Sequence, residues 1–141
     1  MNNPIIQAAK AAHKKYWQAT SDESTGDKQS LAVTKAWQNA VMSNDVQAEV
    51  SIAECLREKI DVVDFSSATA YEMKVSGKNP QHEFYKDIFK VIVYNQYHTS
   101  KLKNLVFITE QQGAKKLSRG LGKAVTESAS QYNLTITVIG I

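Results

Sequence analysis

Asp61, Glu72 and Lys74 are the residues whose types and spacing point to a reaction. They fall in IDVVDFSSATAYEMKVS (residues 60–76), two short apolar-rich runs joined by the polar turn segment Ser66-Ser67-Ala68-Thr69. Ile, Val and Phe before such a segment, and small or apolar residues alternating with ionic ones after it, read as a β-hairpin. Side chains alternate faces along a strand, so Glu72 and Lys74 share one face, and Tyr71, Met73 and Val75 take the other. Folding the hairpin about Ser67-Ala68 sets Phe65 near Ala70, Val63 near Glu72 and Asp61 near Lys74. Asp61 then joins Glu72 and Lys74, and Asp64 falls on the opposite face; a one-residue slip would exchange the two aspartates. Two carboxylates at cross-strand distance supply hard oxygen ligands suited to Mg²⁺, which keeps several waters. Such an ion acidifies a water and neutralises charge on a phosphate. A lysine beside it stabilises the charge that develops on the phosphate as it is attacked.

Asp61 followed by Glu72-Met73-Lys74 resembles the PD-(D/E)xK nuclease superfamily, which includes restriction endonucleases and archaeal Holliday-junction resolvases; Ile60 stands in place of the motif's proline. The resemblance spans roughly residues 45–141 in element order. It implies a restriction-endonuclease-like α/β fold, a mixed central sheet flanked by helices, with two extra N-terminal helices. It further implies a Mg²⁺-dependent deoxyribonuclease in which Mn²⁺ can substitute and a metal-activated water hydrolyses the phosphodiester. Asp61 and Glu72 would be ligands together with the Met73 carbonyl, and Lys74 would be the catalytic lysine. A further glutamate from the preceding helix is common in that family; Glu49 is the first candidate and Glu54 the second.

The remaining elements have to position this hairpin. Residues 4–18 carry Ile5, Ile6, Ala9, Ala12, Tyr16 and Trp17 at helical spacing, with Lys10, Lys14 and Lys15 beside them. A polar linker follows over residues 19–26, then a second helix over 28–42 that buries Trp37. Val46, Val50, Ala53 and Leu56 suggest a third helix to residue 58, bearing Glu49, Glu54 and a buried Cys55. After the hairpin, residues 76–81 form a loop where Lys78 can meet a phosphate and His82 is a candidate acid. The strongest helix covers 83–98. Its apolar face is Phe84, Ile88, Val91 and Ile92, and Glu83, Lys86, Lys90, Tyr94 and Tyr97 form a separate stripe that can line a nucleic-acid groove. Leu105-Val106-Phe107-Ile108 is unbroken and reads as a central strand covered on both faces. Residues 114–132 form a helix weakened by Gly120 and Gly122, with Lys116, Arg119 and Lys123 on one face as phosphate contacts. Residues 133–141 alternate and form a last strand.

The chain has 141 residues, 43% hydrophobic and 22% charged, with a net charge of +3. That composition suits one globular domain, with residues 1–42 a helical extension packed on a core of 43–141. The mild basicity permits DNA as a partner without requiring it. A single cysteine excludes an internal disulfide framework, no His/Cys cluster has zinc spacing, and no apolar run reaches the ~18–20 residues that span a bilayer. The N-terminal residues lack a secretory pattern, so the cytoplasm is the expected compartment. The N-terminal helices offer a surface for a homodimer or another protein. Two readings compete with the nuclease: an inactive nuclease-fold module that binds nucleic acid or protein, and an interaction protein of another class, such as a toxin-neutralising partner.

Overall fold

A computed structural model describes residues 3–17, 23–75, 80–121 and 123–141. The elements run α1 (Pro4–Tyr16), α2 (Glu23–Val41), β1 (Val46–Ser51), β2 (Lys59–Asp64), β3 (Thr69–Lys74), α3 (Pro80–Tyr97), β4 (Asn104–Thr109), α4 (Gln111–Gly120), α5 (Lys123–Ser130) and β5 (Thr135–Gly140). The five strands form one mixed sheet in the order β1-β2-β3-β4-β5. β1, β2 and β3 are an antiparallel meander, and β3, β4 and β5 are parallel. The chain is therefore an α/β fold. Among the described residues no helix is long and apolar enough to cross a membrane.

α1 starts where Asn3 precedes Pro4: the Asn3 Oδ1 accepts from the Ile5 and Ile6 N–H groups at 2.9 and 3.3 Å, capping two otherwise orphaned donors. α1 and α2 cover one sheet face, where Ile5, Ala9, Val33 and Trp37 pack on Val62, Tyr71, Met73, Val106 and Ile108. The Trp37 indole N–H is satisfied by the Ile5 carbonyl at 3.0 Å. On the other face Val91, Val93 and Tyr94 of α3 pack on Ile60, Val63, Ala70 and Leu105, and Phe84 and Leu117 close over Phe107. β4 is buried from Leu105 to Thr109, as an unbroken apolar run in a sheet's interior requires.

Two elements differ from the sequence expectation. Residues 46–51 are strand β1, not a third helix. Val46, Ala48, Val50 and Ile52 also recur with period two, and β-branched residues favour the pleated alternative. Cys55, expected in that helix's interior, is exposed in the turn that follows β1. The helix expected over 114–132 is two, α4 and α5, with α4 ending at Gly120 and Leu121 as its C-cap. Lys116 and Arg119 therefore do not share a continuous helix with Lys123.

The β2–β3 turn holds Ala68 at φ 53°, a left-handed conformation disfavoured for a residue with a Cβ. Its carbonyl accepts from the Lys103 and Asn104 N–H groups, which ties the turn to the start of β4. Glycine adopts this φ without the steric penalty, so Ala68→Gly is expected to raise stability by up to about 1 kcal/mol in urea unfolding.

Candidate active site

β2 and β3 pair Val62 with Tyr71, Val63 with Ala70 and Asp64 with Thr69. This is a two-residue slip from the expected hairpin register. An even slip preserves faces, so Asp61 still lies with Glu72, now directly across from it rather than across from Lys74. Beyond Val62 the ladder opens and side chains replace it. The Asp61 N–H donates to Glu72 Oε1 at 3.3 Å, and the Met73 N–H donates to Asp61 Oδ2 at 3.0 Å. The Met73 carbonyl projects from the same strand edge as its N–H, toward Asp61.

The opening coincides with a change of face in the β1–β2 ribbon. Val46 and Val62 pack under α1 and α2, whereas Val50 and Ile60 pack under α3. Between them stands Glu49, at φ 54°. Such a backbone conformation persists only where its surroundings enforce it. Gln38 of α2 supplies that hold: its buried Nε2 donates to Glu49 Oε1 at 3.1 Å and to the Asp61 carbonyl at 3.0 Å. Glu49 is thus on a strand, exposed, with Lys35 at 3.8 Å. Glu54 is exposed in the following turn. The helix that precedes the sheet contributes an amide, Gln38, where a glutamate was expected.

α3 adds two charged groups to the same place. Lys90 Nζ lies 2.7 Å from Glu72 Oε1 and 3.1 Å from Asp87 Oδ1. It also donates to the Lys59 carbonyl at 2.7 Å, so all three ammonium hydrogens have an acceptor. Glu72, Asp87 and Lys90 are 4, 4 and 6% exposed. Asp61 keeps some solvent contact, although its carboxylate is densely surrounded. Burial pushes the carboxyl groups of Asp61 and Glu72 up, and the charges of Asp61 and Asp87 push Glu72 further. Burial likewise carries Asp87 to about 7 against the pull of Lys90. Lys90 moves upward: burial works against its charge, but Glu72 and Asp87 outweigh it, so the ammonium stays charged.

Lys74 lies two residues beyond Glu72 on β3. Its carbonyl accepts from Thr109 Oγ1 at 2.6 Å, and its partly buried side chain leaves β3 on the same face as Glu72. Among the described residues it forms no ion pair.

The other candidate contacts are scattered. Lys86 is half-exposed and pairs with Glu58 at 3.4 Å. Lys90 and Tyr94, expected on a groove-lining stripe, are buried, and Tyr94 stacks on His98 with ring centroids 3.8 Å apart. The stripe fails because the sheet wraps more of α3 than one apolar stripe requires. His82, Lys116 and Arg119 are exposed, Lys123 opens α5, and Lys78 lies outside the described residues. A groove of about 710 Å³ lies on the α1/α2 side, lined by Ile5, Val41, Asp64, Tyr71 and Asn104, and does not include Asp61, Glu72 or Lys74.

Whether this donor set suits a divalent ion can be read from charge and donor type. With every group ionised, Asp61, Glu72 and Asp87 oppose Lys90 alone, leaving an excess of two negative charges in a largely dry site. One Mg²⁺ would cancel that excess. Among the described residues no three acidic, histidine or cysteine groups enclose an ion. The ligands that the resemblance implies, Asp61, Glu72 and the Met73 carbonyl, would leave water to complete the shell, which suits a hard cation that dehydrates reluctantly. Comparison with family models, characterised proteins and solved structures yields no match for this chain.

Proposed function

We propose that the chain is a divalent-metal-dependent nuclease of the PD-(D/E)xK type, with a restriction-endonuclease-like core, that hydrolyses DNA phosphodiester bonds. The observation that carries this reading is the Asp61–Glu72 carboxylate pair across the opened β2–β3 ladder, in a cluster where three acids face one ammonium, with a lysine on the same strand face as Glu72. The element order lends partial support: antiparallel strands, helix α3, then the parallel strand β4 follow as the resemblance implies, but the helix expected directly before the hairpin is strand β1, so α2 would have to take its place and α1 alone would be extra.

Asp61, Glu72 and the Met73 carbonyl would hold Mg²⁺ or Mn²⁺. Bound there, the ion acidifies a water and offsets phosphate charge. Lys74, unpaired among the described residues and partly exposed, places an ammonium against the phosphate oxygens, where negative charge grows in the transition state. Gln38 fixes the β1–β2 kink from behind and so orients Asp61. Lys86, Lys116 and Arg119 are exposed and would serve as phosphate-backbone contacts, Lys86 in competition with its pair to Glu58.

A second reading has its own observation. Lys90 already saturates its hydrogen bonds on buried acids, which is also how a purely structural ion cluster is built. It makes the chain an inactive module on the same fold. Calorimetric titration with Mn²⁺ separates the two. The nuclease reading expects one site that Asp61→Ala removes, together with cleavage of plasmid or branched DNA. No heat in the wild type, or heat that Asp61→Ala leaves unchanged, favours the structural cluster.

A further inference from the structure

The cluster holds an ammonium where a metal ion's charge is needed, and the pattern of its contacts is informative. Lys90 reaches Glu72, a proposed ligand, from α3, and Asp87 one turn earlier on that helix shares the same nitrogen. The third acceptor, the Lys59 carbonyl, belongs to the first residue of β2. Two of the three acceptors therefore lie outside the proposed ligand set, and Lys90 can release Glu72 while keeping both.

We propose that Lys90 is the resident counter-ion of the metal site: it holds Glu72 in place before the ion binds and is drawn off Glu72, onto Asp87 and the Lys59 carbonyl, when a divalent cation enters. This rests on the nuclease reading and adds a positioning residue to it. In the absence of metal, Glu72 is buried beside two further carboxylates and is held by Lys90 and the Asp61 N–H. An uncompensated buried carboxylate is strongly unfavourable, so the ammonium keeps the site assembled. Once a divalent ion is bound, the retained Asp87–Lys90 pair is neutral and Asp61 and Glu72 are matched by the metal. Asp87 is thus the residue that makes the exchange reversible. The same bookkeeping sets selectivity: with Lys90 present the charge deficit is two, and without it three, so the ammonium tunes the site to divalent over trivalent ions.

The test uses the full chain with Lys90→Gln, which removes the charge but keeps donor hydrogens. Mn²⁺ and La³⁺ affinities are measured by calorimetry, and folding is followed by thermal unfolding with and without Mn²⁺. Lys90→Gln is expected to bind Mn²⁺ about tenfold or more tightly than wild type, and La³⁺ with a larger gain, because one like charge has left a site of low effective dielectric. If the variant folds only when Mn²⁺ is present, the ion has replaced the ammonium, as proposed; if it stays unfolded at saturating Mn²⁺, the proposal is overturned. Protein labelled with ¹⁵N-lysine gives an independent readout. The Lys90 Nζ signal, assigned by its loss in Lys90→Gln, should move as Mg²⁺ is added. A signal unmoved while Mg²⁺ binds at an Asp61-dependent site, or unchanged Mn²⁺ affinity in folded Lys90→Gln, overturns the exchange and leaves the nuclease reading standing. No metal binding in wild type and variant alike overturns both.

Discussion

In the absence of divalent ions the protein is expected to lose stability as the pH rises from about 4 to about 8, the reverse of the usual behaviour of paired carboxylates. Asp87 sits at about 7 in the folded chain against 3.8 in a free side chain. Asp61 and Glu72 are displaced in the same direction, mainly by burial. A raised carboxyl pKa means that the folded state binds more protons than the unfolded one above pH 4. Stability then falls with pH until the folded-state pKa has been passed. The contribution of Asp87 is fully present below its ordinary range and is lost by about pH 8. At 1.36 kcal/mol per unit, that one group accounts for on the order of 4 kcal/mol. Lys90 adds no slope here, because its ammonium stays charged across the whole window. Urea unfolding in chelator at pH 5 and pH 8 checks the sign. Asp87→Asn should flatten the profile, since the amide has no proton to lose. A wild type more stable at pH 8 than at pH 5 would mean that Lys90 compensates the acids fully and no charge excess exists. Added Mg²⁺ should flatten the wild-type profile as well, because cation binding replaces the protons.

How far the sequence anticipates this cluster depends on which physical signal each residue carries. Asp61 and Glu72 meet across the two strands, as the hairpin reading expects, although the face change between Val62 and Ile60 interrupts strict alternation at Asp61. An even error in hairpin register keeps the two residues near each other, so their proximity is legible in the sequence while the exact partner is not. Leu105–Ile108 announces a central strand for a similar reason: four apolar residues in a row fit burial on both faces. Around Glu49 the sequence is ambiguous: Val46, Val50 and Ala53 satisfy helical spacing while Val46, Ala48, Val50 and Ile52 satisfy strand spacing, and a short window cannot choose. What decides is the pairing of Val46 with Asp64 and of Val50 with Ile60, a contact between segments that no local pattern encodes. Lys90 and Asp87 are the instructive omission. Asp87 falls between Phe84 and Val91 on the line Phe84, Asp87, Val91, Tyr94, which is the buried side of α3. A charge at a core position of an apolar stripe signals a buried partner. Grouping Lys90 with Lys86 on a polar stripe hid that signal. Gln38 had no comparable marker: a lone amide beside Trp37 on α2 becomes informative only when Glu49 and the Asp61 carbonyl are seen to converge on it.

Lys74→Ala is expected to cut DNA cleavage by about 10²–10³-fold while leaving Mn²⁺ affinity close to that of wild type. The split follows from where the residue stands. Its backbone belongs to the regular part of the sheet, paired with Thr109 in the parallel ladder, so truncating the side chain removes no strand contact. Its ammonium is engaged by none of the described acids, so its loss leaves no buried carboxylate unpaired. On the proposed nuclease reading, what disappears is a charge that serves the phosphate, an interaction that matters most in the transition state. Such a change lowers turnover with little effect on ground-state binding. Asp61→Asn should behave differently. It weakens the acceptor of the Met73 N–H and removes a ligand charge, so metal affinity and cleavage fall together. Lys86→Ala, half-exposed and paired only with Glu58, should change cleavage by no more than about threefold and make binding somewhat less salt-sensitive. Single-turnover cleavage of supercoiled plasmid, with Mn²⁺ titrations of the same variants, measures all three. If Lys74→Ala and Lys86→Ala give equally small losses, the lysine on β3 is an ordinary surface charge. The ammonium that serves the phosphate would then have to be sought on α3, and Lys90 is the one already touching Glu72.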